Sequence, residues 1–278
     1  MAKFDFDPSL LADLHKKSDK FWATDSEFLV TSLGDWLKLV QDMQLFCVPA
    51  KKVGEVSIED LMKAMDEDVP SLASELMRVF SDQEEHPHDM IRWDCCSGYG
   101  LKYEMGKYGY SGRKARGTLA IDDPRLFDIL MTWPRKTLPI WQRPWVTVAQ
   151  SHMLGEEGRE WPLELRVYVQ DKKVIGVSNY YPQIEKLSLG QEELMTNFAQ
   201  VVADNTSLIA DDLDVPGFTA DWVLVEGTDG YIPMFLEGGP PYAGMGGAHP
   251  CCFEGIEIDG VALTKGKRHC DLGLRPSR

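Results

Sequence analysis

The chain of 278 residues has no apolar run that approaches the ~20 residues needed to span a bilayer. Its start, MAKFDFDPSLL, lacks the basic and then apolar layout of a secretory signal. These absences lead to the expectation of a cytoplasmic protein. Cysteine is scarce, with six residues at 47, 95, 96, 251, 252 and 270. Two vicinal pairs make a poor disulfide framework, and there is no C-x-x-C, which fits a reduced compartment. The segments HPCC (His249 to Cys252) and RHC (His269, Cys270) bring histidine near cysteine, but their spacing matches no common zinc pattern. Positive charge is in deficit: 29 Lys and Arg against 44 Asp and Glu give a net charge of -15. Such a surface repels phosphate backbones, so non-specific nucleic-acid binding is not expected, although a local basic site can still hold an anion. Three chemical signatures are also missing: the G-x-S-x-G elbow, H-E-x-x-H, and the phosphate loop G-x-x-x-x-G-K-[ST]. Their absence disfavours the usual hydrolase, zinc-protease and P-loop readings.

What is present is ordinary globular material, 44% hydrophobic and 26% charged, with eight Trp, eleven Phe and nine Tyr. That is enough for one large domain or two lobes. The first ~85 residues read mostly as helix from apolar spacing of three and four. DPSLLADLHKKSDKFWA opens with Asp7 as an N-cap and Pro8 at the first helical position. DSEFLVTSLGDWLKLVQDM and SIEDLMKAM continue the pattern, and Glu59 and Asp60 after Ser57 place acid where the helix dipole favours it. SDQEEHPHD, 81–89, reads as a linker. Beyond it the texture changes to short extended runs with Gly, Pro and aromatic punctuation. DMIRWDCCSGYGLKYEMG reads as strand, glycine turn and strand, DPRLFDILMTW as a helix that stops before Pro134, and LPIWQRPWVTVAQ as extended. One later segment, GQEELMTNFAQVVADNTSLI, is clearly helical. The expected fold class is α+β, with helices at the front and antiparallel hairpins behind.

Two hairpins carry polar groups. In PLELRVYVQDKKVIGVSNYY, 162–181, Leu163, Leu165, Val167 and Val169 fall on one face and Glu164, Arg166, Tyr168 and Gln170 on the other. The turn lies near Asp171 and Lys172. On pattern alone, a solvent-facing strand is the simpler account of Arg166.

The second hairpin is DWVLVEGTDGYIPMFLEGG, 221–239. A three-residue Thr228-Asp229-Gly230 loop with glycine at positive φ is a favoured connection. It pairs Gly227 with Tyr231, Val225 with Pro233, Val223 with Phe235, and Asp221 with Glu237. Two carboxylates would then stand about 5 Å apart, which destabilises a sheet unless something compensates. A hard divalent cation is one compensator. A bland pair of strand-end acids fits the same pattern, and a slip of one residue would separate the two.

The order of these features resembles the ATP-grasp superfamily. The texture is nearest to a divergent branch that includes the eukaryotic chaperone for assembling translation initiation factor 2 and related bacterial and phage proteins. LELRVYVQDKKVIGVSNYY is similar to that branch's E-x-R-x-F/Y-V strand, short turn and K-x-x-G-x-S. ADWVLVEGTDGYIPMFLEGGPP is similar to its metal-binding hairpin, in which an Asp starts one strand and the next ends in Asp/Glu, one residue, Asn and Pro. MIRWDCCSGYG and LPIWQRPWV resemble, more weakly, the strand with its glycine-rich loop and the strand leading to the adenine hinge. The likeness covers residues 89 to 241.

The resemblance, which does not reach the helical N-terminal region at 1–85, implies a two-lobed architecture: a small nucleotide-binding lobe at 86–148 and a C-terminal lobe with a metal site at 149–278. It implies ATP and magnesium as cofactors, with Asp221 and Glu237 as metal ligands and Arg166 as the catalytic cation facing the phosphates. Arg92 would occupy a position where many relatives have Lys. Gly98 and Gly100 would let backbone N–H groups approach phosphate, and Lys102 would be a further phosphate contact. Gln142, Arg143 and Trp145 would lie near the adenine. Residues 238–250 would form a lid. Arg92 has a second reading as the partner of Asp94, and the two glycines a second reading as a turn.

The implied activity is ligation of a carboxylate to an amine through an acyl phosphate. The competing reading is an ATP-binding chaperone or assembly factor, with a protein client, that uses the same cleft without ligation. One departure favours the latter: Gly239 stands where the family keeps a metal-binding Asn.

Overall fold

The computed structural model describes residues 28–64, 67–82, 89–98, 101, 119–121, 123–146, 148, 150–152, 160–180, 189–240, 257–258 and 261–262. The Asp7 helix, Gly100, Lys102, the lid segment from 241 onward and the His249–Cys252 and His269–Cys270 groups therefore lie outside the described residues.

Helix α1, Leu33–Asp42, starts where Ser32 in extended conformation turns its hydroxyl back to accept from Asp35 N at 3.2 Å, satisfying a donor the first turn leaves open. Leu33, Trp36, Leu37 and Val40 form its buried stripe, the i, i+3, i+4, i+7 positions of one helix face. Strand β1, Lys51–Ser57, follows; helical spacing gives no hint of it, because it is set by pairing with a distant strand. Ser57 then caps α2, Ile58–Lys63, accepting from Asp60 N at 3.3 Å. Pro70 opens α3, Pro70–Asp82, a place where its missing N–H costs nothing. Next come β2, Met90–Trp93, α4, Pro124–Leu130, and β3, Thr137–Arg143. Antiparallel pairing in the order β1-β3-β2 makes a small sheet.

The remaining strands are β4, Gln150–His152, β5, Glu160–Pro162, β6, Glu164–Gln170, and β7, Lys173–Asn179. They are followed by α5, Leu189–Asp212, β8, Gly217–Gly227, and β9, Gly230–Gly239. Two further short strands, β10 at Glu257–Ile258 and β11 at Val261–Ala262, pair with each other. Strands β7-β6-β8-β9 form a large antiparallel sheet. The β6–β7 turn is at Asp171 and Lys172, with φ of 48° and 62°, left-handed values that suit the twist of a tight hairpin. The chain is α+β, with helices and antiparallel sheets.

Each sheet has its own core. Val56, Leu61, Leu72, Val79, Trp93, Leu126 and Leu138 bury the face of the small sheet against α2, α3 and α4. Leu165, Val167, Phe198, Val202, Ile209, Trp222 and Phe235 bury the large sheet against α5. Helix α1 joins the second core, not the first, although chain order puts it beside the small sheet. Trp36 is 0% exposed, with ring centroids 4.9 Å from Phe28, 5.1 Å from Phe218 and 5.6 Å from Phe235. Burying one such ring is worth about 3 kcal/mol. It lies so close to β9 that a Cβ on Gly238 would fall 2.0 Å from Trp36 Cε2; only glycine fits there. Among the described residues no helix is long and apolar enough to cross a membrane.

Candidate functional site

The β8–β9 hairpin closes by a two-residue turn, Thr228-Asp229, with Gly227 opposite Gly230, rather than the expected three-residue loop. Gly230 does take a positive φ, 128°. The pairing near the turn is accordingly one residue away from expectation: Val225 faces Ile232 and Val223 faces Met234. The register then shifts between Trp222 and Asp221, where Leu236 is the extra residue on β9. That bulge returns Asp221 to a position opposite Glu237. Bulges re-aim side chains in this way near functional sites. On the other side of β8, Asp221 faces Arg166 of β6, so Arg166, Asp221 and Glu237 lie in one row across three strands.

Both acids are compensated by arginine. Arg166 Nε and Nη2 donate to the two Asp221 oxygens at 2.6 Å each, the two-pronged geometry in which guanidinium matches carboxylate. The Arg166 Cζ sits 4.5 Å from the centroid of the Tyr180 ring, a cation–π contact. Burial works against the Arg166 charge, and Asp221 outweighs it, keeping the pKa well above the ordinary arginine value. Arg92, on the small sheet, donates through Nη1 to Glu237 Oε2, so this ion pair joins the two sheets. Arg92 is 4% exposed, and its Nε donates to Trp93 O at 3.1 Å. Asp94, the other partner open to Arg92, accepts from Gly34 N at 2.9 Å and Trp141 Nε1 at 2.6 Å through the same oxygen. It thereby caps α1 from across the sheet. Burial pushes the Glu237 carboxyl up, but Arg92, with Arg143 and Arg166 behind it, outweighs burial and brings it down to about 2.

Arg143 ends β3 and is 2% exposed. Its Nη2 donates to Val48 O at 2.9 Å, while Nε and Nη1 have no partner among the described residues. Burial, with Arg92 beside it, lowers its pKa to about 10. A buried guanidinium with open donors is costly unless an acceptor meets it. Arg143 lines an apolar slot together with Val48, Met90, Trp145, Val148, Val223 and Leu236, with the buried carboxylate of Glu164 also on its wall. Arg143 and Trp145 are thus both on the slot, whereas Gln142 donates through Nε2 to Asp89 Oδ2 at 2.9 Å. Gly98 is buried, and its carbonyl accepts from Leu101 N at 3.3 Å. Sequence reasoning passed over Glu164 and Tyr180. The signal for Glu164 was its place two residues before Arg166 on the same strand face; nothing local marks Tyr180, whose role depends on where the strand end brings its ring.

Chemically, the row offers charged donors and acceptors side by side, on the strands whose Glu164, Val223 and Leu236 line the apolar slot. Among the described residues no group of three or more His, Cys, Asp and Glu gathers as a metal site. Two facing carboxylates nevertheless fit magnesium, which is usually held by one or two protein carboxylates while waters and substrate phosphates complete its shell. The unpartnered Arg143 nitrogens fit an anion.

No protein-family model matches the chain, and no curated protein matches it in sequence. Among solved structures it is similar to C-terminally truncated Cdc123 from Schizosaccharomyces pombe, at 12% identity over 78% of this chain and 86% of that chain, with a TM-score of 0.48. It is also similar to an L-amino acid ligase from Bacillus licheniformis, at 12% identity over 83% of this chain and 47% of that one, with a TM-score of 0.40. A third similar structure is the ATP-grasp ligase PsnB with a minimal precursor, at 16% identity over 83% of this chain and 57% of that one, with a TM-score of 0.34. Solved structures similar to this chain therefore include an ATP-grasp ligase, at identities and scores that assign no residue a role.

Proposed function

We propose that the cleft between the two sheets binds ATP with magnesium and that the protein uses it to join a carboxylate to an amine through an acyl phosphate. The observation that carries this reading is the row of Arg166, Asp221 and Glu237, whose strand neighbours Glu164, Val223 and Leu236 line an apolar slot together with Arg143, which has open donors among the described residues. An aromatic base suits the slot, and a polyphosphate suits the guanidiniums beyond it. The strand signatures that resemble the ATP-grasp superfamily fall on β6, β8 and β9, which supply the row.

On this reading Asp221 and Glu237 hold magnesium, which would supply charge neutralisation on the phosphates. Arg166, fixed by two hydrogen bonds and a ring face, presents a planar cation that needs no reorganisation as charge develops. Arg92 exchanges its contact with Glu237 for phosphate oxygens, and Arg143 satisfies its open donors. The slot's apolar walls exclude water from the base, and the Gly98 backbone would approach phosphate.

A thermal-shift titration tests the reading, because a ligand that binds only the folded state must stabilise it. ATP with magnesium is expected to raise the midpoint, and to do so less in Arg166→Met. No shift at millimolar ATP would sink the proposal.

Gly239 favours a second reading, binding without ligation in a chaperone or assembly factor. At Gly239 the metal loses a side-chain ligand that relatives supply, and arginines already balance both acids. Release of ADP and phosphate on incubation with panels of acids and amines supports ligation; a thermal shift with no turnover supports the second reading.

A further inference from the structure

We infer that Cys95 and Cys96 form a redox-active vicinal dithiol that a hydroperoxide converts to a disulfide ring. This goes beyond nucleotide binding and does not depend on it. Both are free thiols, each 8% exposed, at the end of β2 three and four residues after Arg92. Neighbouring Cα atoms are about 3.8 Å apart, short of the span that relaxed disulfides prefer. A bond formed here is therefore strained, and strained disulfides are the readily reduced, regulatory kind.

The surroundings set the two sulfurs apart. Arg125 reaches over this stretch, donating through Nη2 to Ser97 O at 3.2 Å and to Asp123 Oδ2 at 2.6 Å. The neighbouring Cys95 thiol lowers the Cys96 pKa; burial opposes this, and Arg125 and Arg92 reinforce it. Cys95 in turn is pushed well above the ordinary thiol value by Cys96, with burial adding to the rise. Cys96 is thus the nucleophile and Cys95 the resolving thiol.

The reaction balances. The Cys96 thiolate attacks one peroxide oxygen and the O–O bond breaks, giving a sulfenic acid and, after protonation, one water. Cys95 sulfur attacks Cys96 sulfur, the S–OH bond breaks, and the Cys95 proton leaves with hydroxide as a second water. The two sulfurs lose two electrons in total, and the peroxide gains them.

The chain on either side is held. Asp94 N donates to Pro139 O at 2.9 Å, and Asp94 O accepts from Leu33 N at 3.1 Å. Gly98 O accepts from Leu101 N at 3.3 Å. With Arg125 holding Ser97 O, ring closure acts on a segment anchored at both ends, between Arg92 and Gly98.

The test treats the full chain with hydrogen peroxide, alkylates the remaining thiols and maps peptides by mass. The peptide carrying Cys95 and Cys96 is expected to lose two hydrogens, to escape alkylation, and to recover both thiols on treatment with dithiothreitol. Cys95→Ser is expected to stop at a sulfenic acid that dimedone traps. Cys96→Ser is expected to react more slowly than Cys95→Ser, because it removes the thiol whose pKa is lowered. The inference is overturned if the wild-type pair stays alkylatable while Cys47 oxidises. It is equally overturned if the product joins Cys95 or Cys96 to another cysteine, or if the two serine variants react at the same rate.

Discussion

Asp221 and Glu237 face each other across adjacent strands, yet each is held by an arginine from the opposite direction: Arg166 within the large sheet and Arg92 from the small one. The like charges that a sheet would reject are tolerated because two guanidiniums stand at the outer ends of the row.

Removing one member of a buried pair leaves the other uncompensated. Asp221→Leu and Arg166→Met are each expected to destabilise the fold by about 3 kcal/mol, and the double variant Arg166→Met/Asp221→Leu to recover most of that loss. Urea unfolding of the two single variants and the double variant checks this. Additive losses would show that the bidentate pair is not a unit.

Glu237 sets an acid limit. Its folded pKa, about 2, lies below the ordinary value of 4.5. A depressed carboxyl contributes stability above its unfolded value and loses it as pH falls through the folded value. Stability should therefore decline as pH drops from about 4.5 toward 2, and Glu237→Gln should flatten that part of the profile. Chemical denaturation across this range, for both proteins, is the measurement.

Gly239→Asn should return a side-chain oxygen to the end of β9. A Cβ there would lie 3.0 Å from Thr219 Oγ1, so the threonine hydroxyl must turn aside from Pro240 O, which it now meets at 3.2 Å. If Asp221 and Glu237 hold magnesium, the added ligand strengthens metal binding by about tenfold, or ~1.4 kcal/mol. Magnesium titrations at fixed ATP, followed by thermal shift, should show a lower midpoint in the variant.

Arg143→Met exchanges a buried cation with two open donors for an apolar side chain of similar length. The expected result is a gain of about 1 kcal/mol in the ligand-free protein, from relief of unpaired donors, together with loss of much of the ATP-dependent shift. Stability bought at the cost of binding would mark Arg143 as a ligand group; loss of both would mark it as structural support through Val48 O.

The sequence made some of this legible. Period-two alternation marked β6, the glycine turn marked the β8–β9 hairpin, and apolar spacing of three and four marked α1 and α2, because those signals are local. The Asp221–Glu237 pairing was reached through a three-residue loop that the chain does not use. The bulge at Leu236 adds back the residue that the two-residue turn removes, a compensation no alternation pattern reveals. Strand β1 was hidden for a similar reason, since its conformation comes from β3. The arginine partners were the least legible. Arg92 and Glu237 are 145 positions apart, and the nearby Asp94 was the more obvious match until Gly34 and Trp141 claimed it. Glu164 and Tyr180 looked like face and packing residues because their importance comes from neighbours contributed by other strands.

The fit of Trp36 over Gly238 has a consequence for the order of folding. Helix α1 emerges early, but the β9 backbone that receives Trp36 is among the last of the described chain to be made. Until then the nascent protein carries a large indole with no permanent seat, and the row of charges lacks Glu237. Contacts of such long sequence separation form slowly, and exposed apolar surface in the interval invites association. The site is therefore completed by the same event that closes the large core. A ribosome stalled before β9 would display a folded small sheet, an unsheltered α1 and no assembled row.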